Sequence, residues 1–376
     1  GPARALLGSR PGGCGMNEAC APERLASREA TLRLPCGGAP APGQGREVAS
    51  GVSWLRVPLP GGKTVNSWAL RDGEGWTVVD TGMWNEPAVQ AWQHLLSTEG
   101  PLQGRPITRV IATHLHADHV GMAGWLCNTS GAELWMTRGE YLQARLLQFA
   151  SDKPPAAEDL GFYRRAGWDA AALDAYRPMG RNMSPIPHRY RRLREGECIR
   201  LGGLDWHVVI GSGHSTEHAC LHCPDRGLFI SGDQVLPTIS SNVSVWPVEP
   251  DADPMREWLA SIDRLRTAVP DDVLVLPAHD DPFLGLHARL DQLERKRHRA
   301  LALLTEALSR ASTRAVDAFL PLFRRREFEN VFVQQLATGE AVAYLNHLVQ
   351  RGLATVREDD NGVAWYASPA SRGASA

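Results

Sequence analysis

The sequence predicts an α/β fold: a layered domain with a helical insertion, followed by a small C-terminal winged-helix-like domain. Three observations carry this. Short apolar strands bounded by turn residues alternate with helical stretches through residues 49–287. Within that span, about 138–192, the rhythm gives way to helical spacing. From 288 to 370 a long charged helix, further helices and a hairpin take over.

In order along the chain, residues 1–48 are rich in Gly, Pro and Ala and read as a flexible tail. The opening Gly-Pro resembles the remnant of a cleaved tag, with Met16 a native start. "GVSWLRVPL" alternates like a strand, and "TVNSWALRDG" and "GWTVVDTG" follow as short strands. "ITRVIAT" is an apolar strand that runs into "THLHADHVG"; a short helix and the strand "AELWMT" come next. "GEYLQARLLQFA" opens the insertion, which carries Phe162, Tyr163 and Trp168, residues suited to an apolar lid. Strands resume at "ECIRL", "LDWHVVIG", "ACLHC" and "GLFISGD". "MREWLASIDRLRTAV" has helical spacing, and "DDVLVLPAH" is a buried strand ending in a histidine. Helices and the hairpin "LATVREDDNGVAWYAS", with Asn361-Gly362 as a two-residue turn, complete the winged-helix-like pattern.

Composition excludes several function classes. The 376 residues carry a net charge of -2, which gives no long-range pull toward nucleic acid or anionic membrane. No apolar run is long enough to span a bilayer, and no signal-peptide pattern opens the chain, so a cytoplasmic protein is expected. Seven scattered cysteines do not form a disulfide framework. Cys220 and Cys223 form a C-x-x-C that reads either as ordinary strand cysteines or as a redox pair.

The chemistry concentrates at residues 113–121. Three of the chain's 13 histidines and one aspartate fall within His114–His119. In an extended segment, residues i and i+2 point the same way, so His114 and His116 can share one ion. Asp118 and His119 follow where the chain turns and can reach a second. His214 in "GSGH", Asp233 in "SGD" and His279 in "LPAH" each lie just after an apolar strand. Strands ending at one sheet edge would gather all of them.

The ordered set "VVDTG", "THLHADHVG", "GSGH", "SGD" and "LPAH", spanning roughly residues 50–285, resembles the metallo-β-lactamase fold superfamily. The resemblance implies an αββα sandwich with a dinuclear site at one edge. It implies a first metal on His114, His116 and His214, and a second on Asp118, His119 and His279. Asp233 would bridge the two. Asp118 and Asp80 are then the catalytic candidates, Asp118 to position a hydroxide or pass a proton and Asp80 to orient the ligands. Zinc is the default for such ligands; iron or manganese also suits them. Five neutral imidazoles and two carboxylates leave two divalent ions with net positive charge, able to hold a hydroxide near neutral pH.

The chain departs from the family's pattern in places. Secreted antibiotic-destroying members often carry Cys at the position of Asp233, so β-lactamase activity is disfavoured. Ser212 replaces a frequent Pro before Gly213-His214, and Asp280 and Asp281 follow His279. The C-terminal winged-helix-like domain resembles the β-lactamase-like protein 2 type, a subgroup that includes endoribonucleases. From residue 291 onward, 12 Lys/Arg face 10 Asp/Glu, too balanced for a strong phosphate-binding surface.

The expected function is therefore a dinuclear metal-dependent hydrolase. A metal-bound hydroxide would attack a small-molecule thioester, lactone or other activated ester. The alternatives are a metal-dependent endoribonuclease or phosphodiesterase, and a non-catalytic metal or redox binding protein. Arg189, in the cluster "HRYRRLREG", is a candidate phosphate or carboxylate clamp. His218, Asn242 and Tyr163 are further candidate substrate contacts. A homodimer stays open.

Overall fold

The computed structural model describes residues 32–369. The first 31 residues, including Met16 and most of the expected tail, lie outside the described residues. Residues 32–48, also assigned to that tail, are built into the fold instead. Arg33 bridges to Leu284, and Gly45–Ala49 forms the first strand.

One sheet holds seven strands in sequence order: β1 (Gly45–Ala49), β2 (Val52–Pro58), β3 (Thr64–Asp72), β4 (Gly75–Val79), β5 (Ile107–Ile111), β6 (Glu133–Met136) and β7 (Arg191–Arg192). The first four form an antiparallel meander, and β4 to β7 run parallel. Helices α1 (Glu86–Leu95), α2 (Ala117–Val120) and α3 (Ala123–Ser130) serve as crossovers. The insertion holds α4 (Arg138–Ala150), α5 (Ala157–Arg165) and α6 (Ala170–Ala175). The second sheet has order β12-β11-β10-β9-β8, built from β8 (Cys198–Leu201), β9 (Leu204–Gly211), β10 (His218–Cys223), β11 (Leu228–Gly232) and β12 (Leu274–Pro277). Helix α7 (Pro254–Ala268) crosses from β11 to the parallel β12. Then come α8 (Leu286–Arg310), α9 (Phe319–Phe323), α10 (Val331–Gln350) and the hairpin β13 (Thr355–Glu358) and β14 (Ala364–Ala367).

Strand alternation produces the layers. Trp54, Trp68, Leu70 and Ile111 of the first sheet meet Trp206, Val208, Leu221 and Ile230 of the second. On the outer face of the first sheet, Leu55, Val57 and Val78 pack under Trp92 and Leu126 of α1 and α3. On the outer face of the second, Val209, Phe229 and Val275 pack under Trp258 and Ile262 of α7 and under residues of α8 and α10. The result is the αββα sandwich. The C-terminal helices thus share a core with the sandwich.

Two expectations need correction. Cys220 and Cys223 sit three apart in a strand, so they face opposite ways. Cys220 packs with Phe229 outside the sheet and Cys223 lies between the sheets. Of the two readings, that of ordinary strand cysteines fits, since side chains on opposite faces are not placed to pair with each other. The C-terminal hairpin turns over residues 359–363, between the paired Glu358 and Ala364, not through two residues. Asp359 causes this: its carboxylate accepts the amides of Asn361 and Val363. Among the described residues, no helix is long and apolar enough to cross a membrane.

Candidate metal centre

The histidine segment leaves the end of β5 extended and then turns. His116 caps the four-residue helix α2, and its carbonyl accepts the amides of His119 and Val120. Asp118 and His119 are therefore thrown back over His114 and His116. Gly121 permits the turn: a Cβ there would lie 2.8 Å from the carbonyl oxygens of Asn182 and Gly82. His214 arrives from the loop after β9. Gly213 before it has φ +98°, and a Cβ would lie 2.6 Å from Pro254 O and Trp258 Cβ. Asp233 follows β11 and His279 follows β12.

These residues converge into two groups: His114, His116, His214 and Asp233; and Asp118, His119 and His279. Within each group the potential ligand atoms all lie within 4.8 Å of one another. His114 Nε2 is 2.9 Å from His116 Nδ1 and 3.2 Å from His214 Nε2. Asp233 stands between the groups. One carboxylate oxygen is 3.4 Å from both His214 Nε2 and His119 Nε2, and the other is 3.4 Å from His279 Nε2. His119 Nε2 and Asp233 Oδ1 are buried without a hydrogen-bond partner. Such orphans cost about 1–3 kcal/mol each. A divalent cation satisfies them together, and the donor set of imidazole nitrogens and carboxylate oxygens is one that divalent metals accept.

The outward nitrogens of the rings are tied down. His119 Nδ1 lies 2.9 Å from Asp80 Oδ2. His214 Nδ1 donates to Asn242 O at 2.7 Å, His279 Nδ1 to Thr64 O at 3.3 Å, and His114 Nδ1 meets Thr113 Oγ1 at 2.9 Å. His116 differs, presenting Nδ1 to the cluster. Asp80 adopts φ +58° and also accepts the amide and hydroxyl of Thr113. Buried and turned away from solvent, it is placed to orient His119, the part that the resemblance implies for it.

Electrostatics divide the ligands. Burial pushes the His114 and His116 imidazoles down, His116 to about 3, so both stay neutral. Burial opposes ionisation of Asp118 and Asp233, but neighbouring His119 and its hydrogen bonds hold both carboxyls well below the usual range. Burial lowers the His119 and His279 imidazoles too, but the adjacent Asp233 and Asp118 carboxylates win and raise both, so metal ligation there would displace protons.

A cleft of about 360 Å³ opens beside His116 and His214. Leu115, Leu147, Tyr163, Tyr176, Val245 and Trp246 are among its lining residues. Its ionisable walls are acidic, with Asp159, Glu249 and Glu257 and no lysine or arginine. Tyr163 lines the cleft and is also packed on Trp168 and Tyr176, with ring centroids 4.4 and 4.9 Å away.

The other candidate contacts are displaced. His218 is buried behind His114, its ring stacked at 4.8 Å, and its Nε2 accepts the amide of Asp233. The Asn242 side chain donates to Glu340 and Leu336 O, and its backbone carbonyl serves His214. Arg189 is exposed and lies outside the cleft lining; Arg191 of the same cluster stacks on Trp135 and pairs with Glu197.

One functional residue escaped the sequence reading. Glu140, fully buried in the first turn of α4, accepts Leu115 N at 2.9 Å, Glu217 N at 2.7 Å and Thr216 Oγ1 at 3.2 Å. It ties the His114–His116 segment to the chain that follows His214. Burial pushes its carboxyl up.

Comparison with known proteins agrees with this geometry. The family model "Metallo-beta-lactamase superfamily" matches residues 60–279, and "Metallo-beta-lactamase-like, C-terminal domain" matches residues 301–369. The chain is 27% identical over 251 residues to the Acyl-coenzyme A thioesterase MBLAC2 of Gallus gallus, covering 63% of this chain and 80% of that one. It is 24% identical over 259 residues to the Probable metallo-hydrolase YqjP of Bacillus subtilis, covering 65% and 76%. A crystal structure of a Beta-lactamase domain protein from Burkholderia ambifaria superposes with a TM-score of 0.83 at 40% identity, covering 91% of this chain and 99% of that one. With the ligand cluster at the sheet edge, these matches establish that the chain belongs to the metallo-beta-lactamase superfamily and is a metal-dependent hydrolase.

Proposed function

We propose that the protein is a dinuclear metal-dependent hydrolase of small acyl thioesters or related activated esters, with the acyl group held in the apolar cleft. The observation that carries this is the shared wall: His116 and His214 belong both to the ligand cluster and to the cleft lining. A reacting carbonyl beside the cluster would leave its hydrocarbon portion among Leu115, Leu147 and Val245. The thioesterase relative supports the same bond type. An RNA or phosphodiester substrate would instead set phosphates beside Asp159, Glu249 and Glu257, with no lysine or arginine among the described lining residues to meet them.

His114, His116 and His214 would hold one ion and Asp118, His119 and His279 the other, with Asp233 shared; zinc suits the set, as do iron and manganese. Divalent ions there supply a Lewis acid and lower the pKa of water toward neutrality. The chain's own groups do the rest. Asp80 keeps His119 in one tautomer, and Asn242 O does the same for His214. Asp118, the least buried carboxylate of the cluster, stays ionised and is placed to orient a water near the reacting centre. Leu146, Leu147 and Tyr163 of the insertion helices α4 and α5 line the cleft and would shield the acyl group from water. The order of helices followed by a hairpin supports reading the described residues from 288 to 369 as a winged-helix-like module.

The test is a series of straight-chain acyl thioesters on metal-loaded protein. Chelation and Asp118→Ala serve as controls, with single-stranded RNA and an activated phosphodiester run in parallel. Each buried methylene is worth about 0.8 kcal/mol, or about fourfold in kcat/KM, until the cleft is filled. A flat chain-length profile, or comparable turnover of RNA, overturns the proposal.

A further inference from the structure

We propose that Arg297 and Glu340, both in the C-terminal helices, are positioning residues of the metal centre; this rests on the reading of His214 and Asp233 as ligands. Between β11 and α7 runs a strap, residues 241–253, that does two jobs. Its first residues touch the backs of the ligands: Asn242 O accepts His214 Nδ1–H at 2.7 Å, and Ser241 Oγ donates to Asp233 O. Its middle, Ser244 to Glu249, forms one wall of the cleft.

The strap has no sheet partner. Its polar groups are met by α10 instead, turn after turn. Asn242 Nδ2 donates to Glu340 Oε2 at 2.9 Å, Val245 N to Gly339 O at 3.0 Å, Asn346 Nδ2 to Pro250 O and Ala252 O, and Gln350 Nε2 to Asp251 O. Gly339 lets the two backbones approach: a Cβ there would lie 2.7 Å from Val245 O.

Arg297 of α8 locks the arrangement. Its side chain is 1% exposed, and it donates to Glu340 Oε1, to Tyr344 Oη at 2.8 Å and to Ser241 O. One buried ion pair therefore grips both strap residues that contact the ligands, Glu340 through Asn242 and Arg297 through Ser241. A buried guanidinium with a single anionic partner is costly to retain for stability alone. Here one of its remaining hydrogen bonds goes to Ser241 O, in the segment that sets ligand orientation, and the other to Tyr344 on α10.

The experiment compares wild type with Glu340→Gln, Glu340→Ala and Asn242→Ala. The last cuts the link while leaving the buried pair intact. Each protein is titrated with Co²⁺ in place of the native ion, reading stoichiometry, affinity and the visible d–d spectrum, alongside thermal melting of the metal-free form. Groups that orient metal ligands are worth about 10- to 100-fold in affinity. One step further removed, Glu340→Ala and Asn242→Ala should weaken one Co²⁺ about tenfold and alter its spectrum, with Glu340→Gln in between. If Glu340→Ala fails to fold, Asn242→Ala decides the matter. Folded variants with wild-type Co²⁺ affinity and spectrum overturn the inference, even if their melting temperatures fall. Wild type that takes up no Co²⁺ instead defeats the reading of the ligands.

Discussion

Glu140→Gln isolates the tie between the two ligand-bearing segments. The carboxylate accepts three hydrogen bonds, from Leu115 N, Glu217 N and Thr216 Oγ1. A glutamine of the same shape has one acceptor oxygen and one NH₂. Whichever way it turns, the NH₂ meets a backbone N–H, either that of Leu115 or that of Glu217. One buried amide then loses its partner, at about 1–3 kcal/mol. The surviving bonds change from charge-assisted to neutral, costing about 1 kcal/mol more. Against this, the amide no longer buries a charge, the penalty visible in the raised Glu140 carboxyl. The two losses outweigh that recovery, and the net loss is about 2 kcal/mol. Urea unfolding of the metal-free protein measures it through the midpoint at constant slope. Because Leu115 separates His114 from His116, metal affinity should fall as well, about tenfold in a chelator competition. A midpoint shift worth less than 0.5 kcal/mol together with unchanged affinity would refute the role assigned to Glu140.

Two other outcomes follow from the structure. Asp253 caps α7 and meets His347 Nδ1 at 3.0 Å; burial raises its carboxyl, but the bonds from His347 and Arg256 N win and lower it below the usual carboxylate range. A depressed carboxyl contributes stability that is present above the unfolded pKa, about 3.9, and lost as pH falls through the folded value. Asp253→Asn should therefore be about 1 kcal/mol less stable than wild type near pH 7, with the gap closing below about pH 4; a gap that widens in acid contradicts the sign. Arg189→Ala should leave kcat/KM for any substrate within about twofold and stability within about 0.5 kcal/mol. A tenfold drop in turnover would return the arginine cluster to the active site.

What the sequence could reveal was set by how local each signal is. The His114–His119 segment is dense enough to be read directly, and His214, Asp233 and His279 each follow an apolar strand, where an α/β layer presents its loops. The structure brings all seven together as two adjoining groups. Glu140 was hidden because a glutamate in the first turn of a charged helix is ordinary; only the fold turns it toward Leu115 and Glu217. Asn242 was noticed for its place after Asp233, but its role falls to its backbone carbonyl, which no side-chain pattern announces. Arg189 was singled out by charge density, yet Arg191 of that cluster is spent on Trp135 and Glu197. The helix α10 is buried almost all round, and its primary structure does not show that it lies along residues 241–253.

The dependence of the 241–253 strap on α10 also has a meaning in time. A chain made from its N-terminus completes His114, His214, Asp233 and His279 well before residues 331–350 exist. During that interval the ligand-bearing loops are present, but the strap lacks the bonds it makes to α10, which hold its wall of the cleft in place. The site is then completed by an element that carries no ligand, so a nascent chain cut short before α10 would hold every proposed metal-binding side chain and still lack the bonds that fix the strap.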